Sequence, residues 1–358
     1  MIQDFLSYSH KEINSNSFIF PITGLVLKKD SSFKVGNVNF VDKEYLQKNI
    51  VHIGLFEVMD WLGKYKNVTT FAIVDLDKFG DYDGLCETNK GGNNSLALQL
   101  LKQAIGAIYL SVYNLYTPRY DVERRIIISD KGVHEVDEGL NDYMFFDGDK
   151  YINFPNETSQ LLITYTNNFD LNNINDLINI MKKDLKKRSD LENKICKSLE
   201  IIYSIYTEPY TVERVIKLVI LLNYIFRESN EHKFDSTHIG RKLRILFNII
   251  STDLILETIP SYMYTKQEPT AKISNVIIDI YSRVRNDVMH GKMDLYTEYA
   301  VINLDDYIPL KVAAMELLNI IVKTKGLREC KDTKAMNEYI ELKEKERIDK
   351  INAEKSGA

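Results

Sequence analysis

The chain has 358 residues, of which 44% are hydrophobic and 27% charged, and its formal net charge is -5. That length accommodates two domains with substantial cores. The acidic balance excludes a histone-like or ribosomal protein, so contact with nucleic acid must come from a local patch. Three cysteines, Cys86, Cys196 and Cys330, are far apart and odd in number. They read as reduced thiols of a cytosolic protein, not as a disulfide framework or a zinc site. No apolar run approaches the roughly 20 residues that span a bilayer. The N-terminus, with Asp4, His10 and Glu12, does not read as a signal peptide, and none is expected. The expected location is cytoplasmic, with no membrane partner.

Residues 1–17 are polar and read as irregular chain or a short helix. An apolar run of β character, 18–27, is followed by a polar turn, 28–32, and a second run, 33–41. This turn predicts a hairpin between the two runs, with Gly36 marking a bulge. A helix is expected over 55–65, around the single tryptophan Trp61, and a strand over 69–75. A loop rich in Gly, Asp and Asn occupies 77–94. Ser95 then caps an apolar helix running from Leu96 to about Leu115, ended by Pro118. Further strands at 125–129, 143–146 and 161–165 complete an α+β domain over residues 1–165.

Composition shifts at the Asn-rich stretch 166–173. Residues 166–189 read as linker and helix, 190–326 as an all-α bundle, and 327–358 as a charged helix or tail. Helices are expected at 174–187, 191–206, 211–228, 237–257, 271–290 and 308–325. Pro209, Pro260, Pro269 and Pro309 fall between them or at their starts. Residues 215–222 are apolar almost all round, as in the middle of a bundle. The stretch 330–355 alternates Lys and Glu, with i,i+4 pairs Glu341–Lys345 and Glu346–Lys350. It reads as a solvated helix or a fraying tail.

Few segments carry recognisable chemistry. The loop starting at Asp75 invites a calcium reading, but Phe79 and Cys86 stand where ligands are required. It reads as a polar surface loop. Gly91-Gly92 is not followed by the Lys-Ser/Thr of a phosphate loop. No His, Cys and acid spacing suits zinc, and no nucleophile elbow or kinase motif set is present. No metal and no cofactor is therefore expected. The basic run Lys182-Lys183-Asp184-Leu185-Lys186-Lys187-Arg188 is either a phosphate contact or a solvated helix face.

The segment 271–290 is different. Ile277, Tyr281, Val284 and Val288 recur on one helical face, and Asp279, Arg283, Asn286 and His290 on the opposite one. Gly291 follows, where a left-handed C-terminal cap would use it. His290 is thus expected in the last turn, where the helix dipole favours the protonated imidazole. Arg285 lies on the flank between the two faces. An Arg five residues before a His says little alone, since Arg227-Glu228-Ser229-Asn230-Glu231-His232 has the same spacing. That copy, however, runs off the end of its helix into a polar segment. The copy at 285–290 has Asn286 second, Gly291 directly after, and a continuous helix beneath it.

Arg285-Asn286-x-x-x-His290-Gly291 in an all-α C-terminal domain resembles the HEPN superfamily (higher eukaryotes and prokaryotes nucleotide-binding), and its ApeA-like branch in particular. The resemblance covers roughly residues 190–325. It implies a metal-independent endoribonuclease acting on tRNA or single-stranded RNA, with Arg285, Asn286 and His290 catalytic and Asp279 and Arg283 supporting them. It also implies a homodimer through this domain, with two motifs meeting across the two-fold axis. A bacterial toxin or antiphage abortive-infection role follows, with residues 1–165 sensing a phage-derived trigger or regulatory partner. Two other readings remain open. One is a non-catalytic HEPN module that binds a nucleotide or a partner. The other is a metal-dependent nuclease built on Asp75 and Asp83 in the first half.

Overall fold

The structure, a computed structural model, describes residues 17–48, 68–76, 92–113, 127–128, 142–146, 151–155, 163–164, 174–208, 211–228, 236–250, 258–260, 270–284 and 304–356. The chain divides into two compact units, residues 1–108 with 122–171, and residues 109–121 with 172–358. The first half contains strands β1 (Ser17–Thr23), β2 (Leu25–Val26), β3 (Ser32–Val35) and β4 (Val38–Asp42), helix α1 (Lys43–Lys48), β5 (Thr70–Asp75) and helix α2 (Gly92–Val112). Short strands β6 (Ile127–Ile128), β7 (Asp142–Phe146), β8 (Tyr151–Pro155) and β9 (Ile163–Thr164) follow.

One sheet organises the first unit, with strand order β3-β4-β5-β1-β6 and every neighbour antiparallel. Strand β5 sits in the middle, and Phe71, Ala72, Ile73 and Val74 are all buried. Burial on both faces explains why this strand reads as an unbroken apolar run and not as an alternation. Thr70 ties the strand to its surroundings, its hydroxyl donating to the Leu25 carbonyl at 2.6 Å.

The hairpin is not where the polar turn predicts it. Strand β1 pairs with β5 and β6, and β2 pairs in parallel with β9. The reversal falls instead at Gly36-Asn37, where Val35 and Val38 are partners and Phe33 stacks on Phe40 at 5.0 Å. Gly36 has φ 60, and no positive φ is recorded at Asn37. A two-residue turn with positive φ at its first central position demands glycine there, so Gly36 makes the turn and not a bulge. Residues 28–32 form a connection held by Asp42. Its carboxylate accepts from the Ser31 amide at 2.6 Å, and from the Glu44 amide at 2.7 Å where α1 begins.

Helix α2 starts at Gly92, three residues before the expected cap at Ser95. Strand β8 is an addition to the sequence reading and pairs antiparallel with β7. The helix expected at 55–65 with Trp61, Cys86, and Phe79 and Asp83 of the loop lie outside the described residues.

The second half is mostly helical: α3 (Asn175–Lys182), α4 (Asp190–Thr207), α5 (Thr211–Phe226), α6 (Ser236–Ile245), α7 (Ile273–Arg283), α8 (Leu304–Lys323), α9 (Lys325–Arg328) and α10 (Thr333–Ser356). It is not all-α, because β10 (Thr258–Pro260) and β11 (Thr270–Lys272) pair as an antiparallel ribbon. Pro260 within this ribbon favours extended chain at Ile259, the residue before it. The ribbon delays one expected helix, since β11 takes up Ala271 and Lys272 and α7 starts only at Ile273. Helix α6 passes into a π-helical turn, Leu246–Ile250, and residues 251–257 of the helix expected there lie outside the described residues.

Two further boundaries differ for local reasons. The helix expected over 174–187 stops at Lys182, because the Asp184 carboxylate takes the Lys186 amide at 3.1 Å and makes a tight turn, Leu185–Lys187. Pro309 lies inside α8, in its second turn, not at a helix start. There it forfeits only the one bond to the carbonyl of residue 305.

Helix α4 begins with a capping box: the Glu192 amide donates to Ser189 Oγ at 3.2 Å, and the Ser189 amide to Glu192 Oε2 at 2.9 Å. The C-terminal end of α5 is satisfied from two directions. Asn337 Nδ2 of α10 donates to the Phe226 carbonyl at 3.1 Å, and Lys194 Nζ of α4 to the Arg227 carbonyl at 2.7 Å. Among the described residues no helix is long and apolar enough to cross a membrane.

Candidate functional site

Helix α7 carries the two faces that its periodicity demands. Ile277, Tyr281 and Val284 are fully buried, as is Ile280. Asp279 and Arg283 lie on the more open side, with side chains 44% and 24% exposed.

The Arg283 guanidinium forks onto Asp306 of α8, Nη2 donating to Oδ1 at 2.7 Å and Nη1 to Oδ2 at 3.2 Å. Two parallel bonds to one carboxylate fix direction as well as distance. Asp279, one turn earlier, is 4.0 Å from Nη2 and adds little. The neighbouring residue is fixed from the other side, Ser282 Oγ donating to Ser236 Oγ at the start of α6 at 2.6 Å. The last described turn of α7 is therefore tied to the first turns of both α6 and α8. Arg285, Asn286, Val288, His290 and Gly291 follow this anchored turn and lie outside the described residues. The comparison copy begins at Arg227, beyond the last residue of α5, Phe226, and its His232 also lies outside them.

Asp306 is absent from the sequence reading, although an acid just before an apolar helical run is a helix-start signal. Beside it, Tyr307 belongs to a buried group of cations and rings. The Arg214 guanidinium lies 5.7 Å from the Tyr307 ring centroid, while Arg214 Nε donates to the Glu208 carbonyl at 2.6 Å. Lys311, 1% exposed, has Nζ 5.4 Å from the Tyr206 ring centroid and 5.9 Å from that of Tyr307. Tyr206 stacks on Tyr109 at 3.9 Å. Such pairs let positive charge sit in the interior against ring faces. Their sequence signal is a basic residue within an almost wholly apolar helical stretch, as at Lys311.

Glu316 of α8 is buried, and burial pushes its carboxyl up to about 7, outweighing the Lys323 charge and the Asn319 hydrogen bond. Burial also pushes the Cys196 thiol up to about 11, so it holds its proton at neutral pH. Cys196 and Cys330 are both free thiols. Among the described residues no group of three or more His, Cys, Asp or Glu side chains could hold a metal ion.

The basic run does not present a single face. Arg188 turns inward and Nη2 donates to the Met181 carbonyl at 2.7 Å, while Lys183 pairs with Glu192. Lys182, Lys186 and Lys187 are exposed. Comparison of the chain with protein-family models, with curated proteins and with solved structures finds no match.

Proposed function

We propose that the chain is a metal-independent endoribonuclease of the HEPN type that acts as a homodimer on tRNA or single-stranded RNA. The observation that carries this reading is the segment Arg285-Asn286-x-x-x-His290-Gly291, which follows directly on the anchored turn of α7. The chemistry suits these residue types. The RNA 2′-oxygen attacks the adjacent phosphorus and loses its proton, the bond from phosphorus to the 5′-oxygen breaks, and that oxygen gains a proton. A histidine side chain ordinarily changes charge near neutral pH, which suits His290 to take or give these protons. Arg285 sets a permanent, forked cation against the phosphorane charge. Asn286, one turn before His290, can orient the imidazole through its amide. Arg283 and Asp279 take a supporting part, with Arg283 holding α7 against α8.

One Arg–His pair per chain is sparse for this reaction, and a two-fold dimer doubles it. The proposed setting is a toxin or abortive-infection effector against phage, with the first half sensing a trigger. The products test the reading: the RNA fragments should end in a 2′,3′-cyclic phosphate and a 5′-hydroxyl. Fragments bearing 5′-phosphates would point to metal-dependent hydrolysis and reject it. In cells, growth arrest on expression should be relieved by His290→Ala. Equal arrest by wild type and variant would also reject it.

A further inference from the structure

Helix α10 packs on the second unit through one face at its start. Thr333, Met336, Asn337 and Ile340 recur at i, i+3, i+4 and i+7 and are all buried. Glu344, one turn further on, makes the last tie. Its Oε2 accepts from Arg241 Nη2 at 2.5 Å and Nε at 3.0 Å, and its Oε1 from Arg244 Nη2 at 2.9 Å. From Lys345 to Ser356 every residue is exposed.

The same face stays apolar after the packing ends. Ile348 and Ile351 continue it, eight and eleven residues beyond Ile340, and are 50% and 38% exposed. Among the described residues, the exposed large hydrophobics are Ile220, Leu342, Ile348 and Ile351, so three of the four lie in this one helix. Leu342 falls on the opposite face. A solvated segment of this length is a marginal helix on its own. Apolar residues at i and i+3 on a charged helix are the seam pattern of helix pairing.

We propose that the exposed half of α10 pairs antiparallel with the same helix of a second copy of this chain. The seam runs Glu344, Ile348, Ile351, Lys355 at spacings of four, three and four. Antiparallel alignment sets Ile348 opposite Ile351 of the partner subunit, and Glu344 opposite the partner's Lys355. Arg347 and Glu354 flank the seam at positions seven apart, and the same alignment sets Arg347 beside the partner's Glu354, twice by symmetry. A parallel pairing would instead oppose Glu344 to Glu344 and Lys355 to Lys355. Glu344 is already held by Arg241 and Arg244, so the complementarity rests on Arg347 and Glu354, whose antiparallel match to their own copy selects a second copy of this chain as the occupant.

Residues 345–356 rise about 18 Å as a helix. Pairing them buries on the order of 1,000 Å² in total, the size of weak, reversible associations, so the dissociation constant belongs in the micromolar range. This association stands independently of the chemistry proposed at residues 285–290.

Analytical ultracentrifugation of the full chain up to about 100 µM tests it, since that concentration exceeds a micromolar dissociation constant. The wild type should dimerise reversibly. Ile348→Asp combined with Ile351→Asp should raise the dissociation constant about 100-fold, as for loss of a central apolar pair. Arg347→Glu should weaken the dimer, and adding Glu354→Arg should restore it by re-forming the pair with its signs exchanged. These side chains are exposed in the single chain, so the melting temperature of each variant should match the wild type and confirm folding. A wild type that stays monomeric, or a dimer indifferent to the isoleucine changes, overturns the proposal. A charge exchange that fails to restore association overturns the antiparallel register.

Discussion

At the scale of single residues, the second unit depends on buried charges that are answered by specific partners. Arg283 is the clearest case, because its two Nη atoms fork onto the two oxygens of the Asp306 carboxylate. Asp306→Ala removes both bonds of the fork from a guanidinium that is three-quarters buried. Breaking a buried pair in this way costs several kcal/mol, and the partial exposure of Arg283 reduces the expected loss to about 2 kcal/mol, readable by urea unfolding. Glu316 sets a dependence on pH. Its native carboxyl, raised to about 7 from 4.5, holds a proton that the unfolded chain releases. Stability is therefore full below pH 4.5 and falls as pH rises toward 7. At about 1.4 kcal/mol per pH unit, the loss reaches about 3 kcal/mol. Glu316→Gln should flatten this slope, being more stable than wild type at pH 8 and no more stable at pH 4.5. Denaturant midpoints across that range check the sign. The polar stripe of Asp279 and Arg283 was legible from helical periodicity alone. Asp306 was not, because its meaning depends on a partner 23 residues away.

At the scale of elements, local signals succeeded where a segment's own side chains decide its conformation. Ser189 precedes Glu192 by three residues and α4 by one, and the capping box forms. Ser189→Ala should cost about 1 kcal/mol, measured by thermal or urea unfolding, since it frees the Glu192 amide and loosens the Lys183–Glu192 pair. Local signals failed where distant chain decides. The polar stretch 28–32 has hairpin composition, yet the Asp42 carboxylate captures it and the strands around it pair elsewhere. Gly36-Asn37 is the shorter and stronger signal, lying between two partner valines. The β10–β11 ribbon was hidden for a similar reason. Thr270-Ala271-Lys272 reads as the start of the next helix until Thr258-Ile259-Pro260 is brought beside it. The charged C-terminal stretch offered helix or fraying tail, and it is a helix of 24 residues whose start is docked.

At the scale of the whole molecule, the sheet-based first half and the helical second half were legible from the strand and helix patterns on either side of the composition shift at 166–173. Within the helical half α7 is a fixed point: its last described turn is buried on one side and bound at Ser282 and Arg283 on the other. The pairing proposed for helix α10 would bring two copies together independently of the proposed nuclease site. The most direct test is cleavage of tRNA and single-stranded RNA by the purified protein in EDTA, comparing wild type with His290→Ala and Arg285→Ala. The account predicts cleavage by the wild type without metal and a loss of at least about 100-fold in each variant, the scale of one missing acid–base or oxyanion-stabilising group. Cleavage only with added metal, or undiminished cleavage by His290→Ala, would contradict it.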